Sequence, residues 1–290
     1  MTNSSQTRVW LITGSSTGFG RMLAEAVLDQ GETVVLTARN PQQVEDLTAK
    51  FPARTLAARL DVTNPTEVRE VVKQAIATFG RIDVLVNNAG YGTLGAIEEV
   101  SDEDIRRQFD TNVFGALDLT RAVLPHMRQQ RSGHIINFSS VGGFVSFPGS
   151  GIYCSTKFAL EGISEALAQE VAPFGIKVII VEPGAFRTDF SGRSLVVSDT
   201  QIADYEPVIG QYRQWVQDID GQQPGDPKKA ASAIIQAVNT ENPPLRLALG
   251  ADAVNAIDAK LKSVKAELDA WRQVAVDTAF EGVVVSGIGG

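Results

Sequence analysis

Tyr153 and Lys157 stand four residues apart in GIYCSTKFALEGISEALAQEV, residues 151–171, whose apolar positions recur with helical period. That spacing puts both side chains on one helix face, where they can reach the same atom. A free phenol titrates near pH ~10, too high for ready proton exchange, and an adjacent ammonium favours the phenolate. Such a pair could give a proton to an oxygen, or take one from it, near neutral pH. A buried tyrosine with a lysine one turn on also occurs in helices that do no chemistry, so the pair gains meaning only from its surroundings. Cys154, beside the tyrosine, is a poor candidate nucleophile: neither His126 nor His134 is near it in sequence, and a small thiol packs well in a helix. Upstream, HIINFSS at 134–140 reads as a strand ending in two hydroxyls, Ser139 and Ser140.

A second constellation lies near the start of the chain, where the apolar run Val9–Thr13 leads into TGSSTGFG and then into the amphipathic stretch RMLAEAVLDQG. Glycines at 14, 18 and 20 let the backbone turn tightly and approach a pyrophosphate, whose charge is favoured by the free N–H groups and dipole at a helix start. A glycine-rich strand-to-helix turn also serves packing alone, so it needs the same corroboration.

The elements that must position these groups follow from the hydrophobic pattern. Strand-length apolar runs at Val9–Thr13, Thr33–Ala38, Thr55–Leu60, Val84–Asn87, His134–Phe138, Lys177–Glu182 and Leu245–Leu249 alternate with helix-length periodic segments. The pattern predicts an α/β fold of the Rossmann type: a doubly wound parallel sheet of about seven strands with helices on both faces. NPQQ at 40, NPTE at 64 and DPKK at 226 each set a capping side chain before a proline at the first helical position, and Ser101 caps a long helix running to about Gln130. The stretch from Arg187 to Gly225 is too long and too apolar for an ordinary connection and reads as a substrate lid with short helices of its own. Residues 1–290 are expected to form one domain, with a helical extension over about 251–290.

Composition narrows the function classes. A hydrophobic fraction of 43% and a charged fraction of 21% are ordinary for a soluble protein, and no apolar run is long enough to span a bilayer. The leading MTNSSQTRVW lacks the features of a secretory signal, which points to the cytoplasm. One cysteine and two histidines provide no disulfide and no ligand set for zinc, and no metal is expected. A formal net charge of −8 disfavours nucleic acid and leaves a small molecule as the expected partner.

Thr-Gly-x-x-x-Gly-x-Gly at 13–20, LDV at 60–62, NNAG at 87–90, Asn112, Ser140, YCSTK at 153–157 and EPGAFRT at 182–188 follow one another in the order and at the spacings of the short-chain dehydrogenase/reductase family. The chain resembles that family over roughly residues 7–250, most closely its standard-length members acting on ketones, alcohols and steroid-type substrates. The resemblance implies hydride transfer between a nicotinamide and a carbonyl or secondary alcohol. Ser140, thirteen residues before Tyr153, would donate a hydrogen bond to the substrate oxygen, with Tyr153 as proton donor. Lys157 would tune the tyrosine and bond the nicotinamide ribose, and Asn112 would hold a water in a proton relay. Gly14, Ser16, Thr17, Gly18, Phe19 and Gly20 would surround the pyrophosphate. Asp61 and Val62 would border the adenine, and Asn88, Ala89 and Gly90 would support the cofactor channel. Pro183, Gly184, Phe186 and Thr188 would fit under the nicotinamide. Glu182 departs from the asparagine commoner before this Pro-Gly pair, which leaves that local hydrogen bond open.

Within this frame Arg39 gains a meaning. Where dinucleotide-binding units carry an acid for the ribose hydroxyls, VVLTARN at 34–40 supplies none and ends on a guanidinium matched to phosphate. The sequence therefore favours NADP(H), with NAD(H) left open because Thr17 stands where many NADP-preferring relatives have a basic residue. Val141, Phe144, Val145 and Phe147 after the serine, with the apolar lid, suggest an apolar or aromatic carbonyl substrate. In relatives the helices corresponding to Asp102–Gln130 and Gly151–Phe174 pair across a two-fold axis. The charged helix after Leu249 could cover a second contact surface, which favours a homodimer over a tetramer. Two other readings stay open: a sensor that binds NADP(H) without turnover, and a lyase or epimerase using the same tyrosine and lysine.

Overall fold

The structure is a computed structural model and describes residues 7–283 and 287. The first six residues of the polar lead and most of the end of the expected extension lie outside the described residues. The strands are β1 (Val9–Ile12), β2 (Thr33–Ala38), β3 (Thr55–Arg59), β4 (Val84–Asn87), β5 (Gly92–Leu94), β6 (Gly133–Phe138), β7 (Ile176–Pro183), β8 (Leu195–Val197) and β9 (Arg246–Leu249). Seven of them form one parallel sheet in the order β3-β2-β1-β4-β6-β7-β9. The expected seven runs are these seven strands, displaced at their ends by a residue at most.

β1 runs between two hydrophobic layers, so its residues are buried on both faces. Trp10 and Ile12 join one core with Leu23 and Leu28 of α1 (Gly18–Asp29), Leu47 of α2 (Glu45–Lys50) and Ile234 of α8 (Pro227–Asn239). Val9 and Leu11 join the other with Val71 of α3 (Pro65–Phe79), Val123 of α5 (Ala116–Gln130) and Leu167 of α6 (Gly151–Val171). A strand covered on both faces has no polar side, which is why these runs are continuously apolar rather than alternating.

The caps form as the sequence requires. The Asn64 side chain accepts from the backbone N–H groups of Thr66 and Glu67, Asp226 from Lys228, Asn40 from Gln42 and Ser101 from Asp104. Ser101 opens α4 (Asp102–Phe109), and the helix reaches α5 through a π turn, Asp110–Gly115, that contains Asn112. The wider turn is absent from the periodicity, because one extra residue per turn hardly disturbs a helical pattern.

Residues 187–225 carry a helix of their own, α7 (Glu206–Ile219), and the strand β8, which pairs in parallel with β5 in a two-stranded sheet outside the main one. Below α7 the guanidinium of Arg213 is held by Glu99 and Glu206. The Glu99 carboxylate is fully buried and also accepts from the backbone of Ala96 and Ile202. That pair joins the segment to the body, where its apolar residues Ile209 and Val216 are also buried. The last helix, α9 (Ala251–Val276), follows β9.

Removing the α3 cap with Asn64→Ala is expected to cost about 1 kcal/mol of stability, read as a lower midpoint in urea unfolding at unchanged slope.

Candidate active site

Parallel strands deliver their carboxyl ends to one edge of the sheet, and the candidate residues gather there. Thr13 follows β1, and its hydroxyl accepts from the backbone N–H groups of Asn88 and Ala89, each at 2.8 Å, while donating to the Val86 carbonyl. The Asn88 amide donates in turn to the carbonyls of Thr13 at 2.8 Å and Gly14 at 3.3 Å. These bonds draw the turn after β4 against the turn after β1, and α1 packs onto both. A Cβ at Gly20 would lie 2.6 Å from the Asn88 amide nitrogen and closer still to the Gly14 carbonyl oxygen. Gly14 and Gly18 take positive φ values of +65° and +56°. Thr17 leaves the start of α1 without a side-chain cap and the first turn holds no acid, so its N–H groups suit an anion. Ser16 is half-buried in the same turn, and Phe19 lies beneath it between Phe138 and Phe186, with ring centroids 5.4 and 5.2 Å away.

The turn after β7 closes on this loop. Pro183 ends the strand, Gly184 bonds back to Leu249, and a Cβ at Gly18 would touch Thr188 at 3.6 Å. Gly184 is pressed against the Asp252 carboxylate, which accepts from the backbone of Ala185 at 2.6 Å. Glu182 itself is buried beside Glu161 and Arg246, whose Nε lies 3.0 Å from Glu161 and 3.4 Å from Glu182. Burial and the neighbouring Glu161 charge push the Glu182 carboxyl up to about 7, against the pull of Arg246. The local bond left open by the departure from asparagine is thus replaced by a carboxyl pair around one guanidinium, with Asp252 holding the turn instead.

At the other end of the sequence motif, Ser140 follows β6 and its hydroxyl accepts from Gly142 N at 3.0 Å. A Cβ at Gly142 would lie 3.3 Å from each of Ser140 Oγ, the Tyr153 ring and Cys154 Sγ, so the serine and tyrosine converge on one point. Lys157, one turn along α6, buries its ammonium and donates to the Phe138 carbonyl at 2.7 Å. Its nitrogen lies 5.7 Å from the centre of the Tyr153 ring. Burial lowers the lysine to about 8, with Glu161 pulling the other way. Tyr153 goes upward, because burial outweighs the hydrogen bond from Ser140. A neighbouring ammonium alone favours a lowered phenol; burial raises it instead, and the Lys157 ammonium donates its hydrogen bond to the Phe138 carbonyl. Burial likewise pushes the Cys154 thiol up, which suits a packing role.

Asn112 is placed by the π turn so that its amide donates to the Tyr91 carbonyl at 2.9 Å and to Thr156 Oγ1 at 3.1 Å, while its Oδ1 accepts from Tyr91 N. Gly90 sits between it and the lysine: a Cβ there would be 3.0 Å from Asn112 Oδ1 and 3.7 Å from Lys157 Nζ. Asp61 binds Thr63 in its own turn, and Val62 packs on Gly115 of the π turn. Arg39 is exposed, and its guanidinium has no protein partner among the described residues, while its carbonyl accepts from Arg59.

Several residues of this region carry little or no local mark in the sequence. Thr13 was visible as the first letter of the glycine motif, but its knotting of two turns was not. Arg193, within 187–225, donates to the Thr17 hydroxyl and pairs with Asp189 at 3.3 Å, bringing a second guanidinium to the glycine turn. No spacing rule links positions so far apart. Asn87, Asn137, Thr120 and Ser164 form a buried ladder under the site, hinted at only by asparagines in otherwise apolar strands.

Residues 8–195 match the family model described as short chain dehydrogenase. The chain belongs to the short-chain dehydrogenase family. A short-chain dehydrogenase from Streptomyces avermitilis superposes with a TM-score of 0.90 at 49% identity, covering 96% of this chain and all of that one. The oxidoreductase BOA17 of Botryotinia fuckeliana is 40% identical over 94% of this chain and its own full length. The 3-ketodihydrosphingosine reductase of Bacteroides thetaiotaomicron is 41% identical over 89% of this chain and 93% of its own. The short-chain dehydrogenase described here is therefore an oxidoreductase by family, and none of its described helices is long and apolar enough to cross a membrane.

Gly20→Ala should force the glycine turn away from Asn88 and destabilise the fold by about 1–3 kcal/mol, the scale of overpacking, measured by chemical denaturation.

Proposed function

We propose that this short-chain dehydrogenase is an NADP(H)-dependent ketone reductase or alcohol dehydrogenase for an apolar or aromatic substrate. The observation that carries the reading is the convergence of Ser140 and Tyr153 beside Lys157 and Asn112, next to a glycine turn open to a pyrophosphate. When bound, the nicotinamide supplies or accepts the hydride. Gly14, Ser16, Thr17, Gly18, Phe19 and Gly20 hold the pyrophosphate, and Asp61 and Val62 border the adenine. Asn88, Ala89 and Gly90 line the channel, and Pro183, Gly184, Phe186 and Thr188 support the nicotinamide end. Arg39 binds a 2′-phosphate; its unpaired guanidinium at the end of β2 supports NADP(H) over NAD(H).

Ser140 donates to the substrate oxygen, and Tyr153 gives its proton as negative charge develops there. A phenol held above its ordinary pKa keeps that proton until the oxygen demands it. Lys157 contributes a positive charge one helical turn away and a donor for the ribose, while Asn112 and Gly90 fix the space beside it. Residues 187–225 form a lid: Phe190 packs on Tyr153 with centroids 5.4 Å apart, and Phe147, Tyr212 and Trp215 stack in series. These aromatic surfaces support an apolar substrate, and the resemblance to a protein named as a keto reductase supports a carbonyl. We place the protein in the cytoplasm as a single domain that assembles as a homodimer.

Tyr153→Phe removes one oxygen, so dinucleotide affinity should stay within a few-fold while turnover falls by roughly two to four orders of magnitude. Near-normal turnover with a good ketone, followed by loss of reduced-nicotinamide absorbance, would show the assignment to be wrong. The same assay separates the alternatives, because a sensor, or a lyase or epimerase that retains its cofactor, would not consume NADPH stoichiometrically.

Arg39→Ala should weaken NADPH by about 1–3 kcal/mol and leave NADH nearly unchanged; equal losses in the two dissociation constants would remove the case for phosphate recognition.

The lysine gives a pH dependence with a defined sign. Burial lowers Lys157 to about 8, so the ammonium persists below that pH and is lost above it. kcat/KM for ketone reduction should therefore fall as pH rises through about 8, and the limb should vanish in Lys157→Arg, whatever activity that variant retains.

A further inference from the structure

Only the first turns of α9 touch the rest of the protein. Ala253 is buried, Ala256 and Ile257 are half-buried, and Asp252 bonds the turn after β7. From Asp258 to Val276 every residue is exposed. The helix of 26 residues is about 39 Å long, so most of that length stands clear of the domain. An isolated helical stretch of this kind is marginal in water unless an apolar face is buried.

Such a face is present. Val254, Ile257, Leu261, Val264, Leu268, Trp271 and Ala275 succeed one another at alternating steps of three and four, the seam of a two-stranded coiled coil. Leu261, Val264, Leu268 and Trp271 are exposed by 53%, 45%, 53% and 68%. We propose that this seam docks, antiparallel and about a two-fold axis, on the α9 of a second copy of this chain.

The charges flanking the seam select that occupant and that direction. With Leu261 set opposite Val264 of the second copy, Val254 falls opposite Trp271 and Ile257 opposite Leu268, so that every layer is apolar. Flanking them, Asp258 then faces Lys265 of the second copy and Lys260 faces its Glu267, each twice by symmetry. A parallel pair in register would instead bring Lys260 against Lys265. An anionic lipid surface is disfavoured, because residues 251–276 hold four acids (Asp252, Asp258, Glu267, Asp269) and four bases (Lys260, Lys262, Lys265, Arg272), with no basic excess for lipid headgroups. The sequence suggested a helix covering another contact surface; the structure leaves this helix itself to be covered. Leu261, Val264, Leu268 and Trp271 lie on the exposed length of α9 and take no part in the candidate active site, so this inference stands apart from the assigned chemistry.

The test is the solution mass of the full chain at micromolar concentration by light scattering. Leu261→Glu with Leu268→Glu, both on an exposed helix, should take the homodimer to a monomer, halving its mass, and leave dinucleotide binding intact. Lys260→Glu should weaken assembly, and adding Glu267→Lys should restore it. Equal masses for wild type and the double-leucine variant would overturn the proposal. Failure of the charge swap to restore assembly would overturn the antiparallel arrangement. A monomeric wild type that sediments with phosphatidylserine vesicles would overturn it in favour of a lipid surface.

Discussion

The Thr13 hydroxyl is the interaction on which the site depends. It is a small group at the end of β1 that accepts two backbone N–H groups from the turn after β4 and donates to a third peptide. Because the two turns are tied there, α1 enters close enough that Gly20 has no room for a Cβ. The same tie fixes Gly90, and from Gly90 the order passes to Asn112, from Asn112 to Thr156, and so to the helix that carries Tyr153 and Lys157. The nucleotide-facing and chemical halves of the site are thus held by one run of short-range contacts. A site built this way is positioned by short turns tied to one another at the strand ends, which suits chemistry needing fixed distances.

Burial sets the electrostatic character of the chemical half. The lysine and the tyrosine both lose water, and each is driven toward its neutral form, the lysine downward and the phenol upward. Behind them lies the cluster of Glu161, Glu182 and Arg246, with Glu165 on the same guanidinium at 2.9 Å. Burial first, and then the Glu161 charge beside the same arginine, disfavour the ionised form of Glu182, which goes up. The cluster joins α6, β7 and β9, so the end of the sheet and the helix bearing the candidate residues share one charge balance.

The 187–225 segment solves a different problem. A long connection has to satisfy its backbone and bury its apolar residues without belonging to the main sheet. It does so by adding β8 beside β5 and by burying Arg213 on Glu99. Its Phe190 and Arg193 come to lie on Tyr153 and Thr17 respectively, so one segment spans both halves of the site.

The sequence by itself determined the sheet, its strands to within a residue at their ends, the capped helix starts and the residues gathered at the strand ends. Each of these is written locally: an apolar run buried on both faces, an asparagine before a proline, a glycine spacing, a tyrosine and lysine one turn apart. The family resemblance rested on the same local marks and is met by the family match. Tertiary structure alone decided the π turn at Asn112, the direction of the Tyr153 shift, the carboxyl pair around Glu182 and the arrival of Arg193 at the glycine turn. It also decided that α9 stands exposed. None of these follows from a period or a motif, because each depends on which groups from distant parts of the chain are brought together and how much water is left between them.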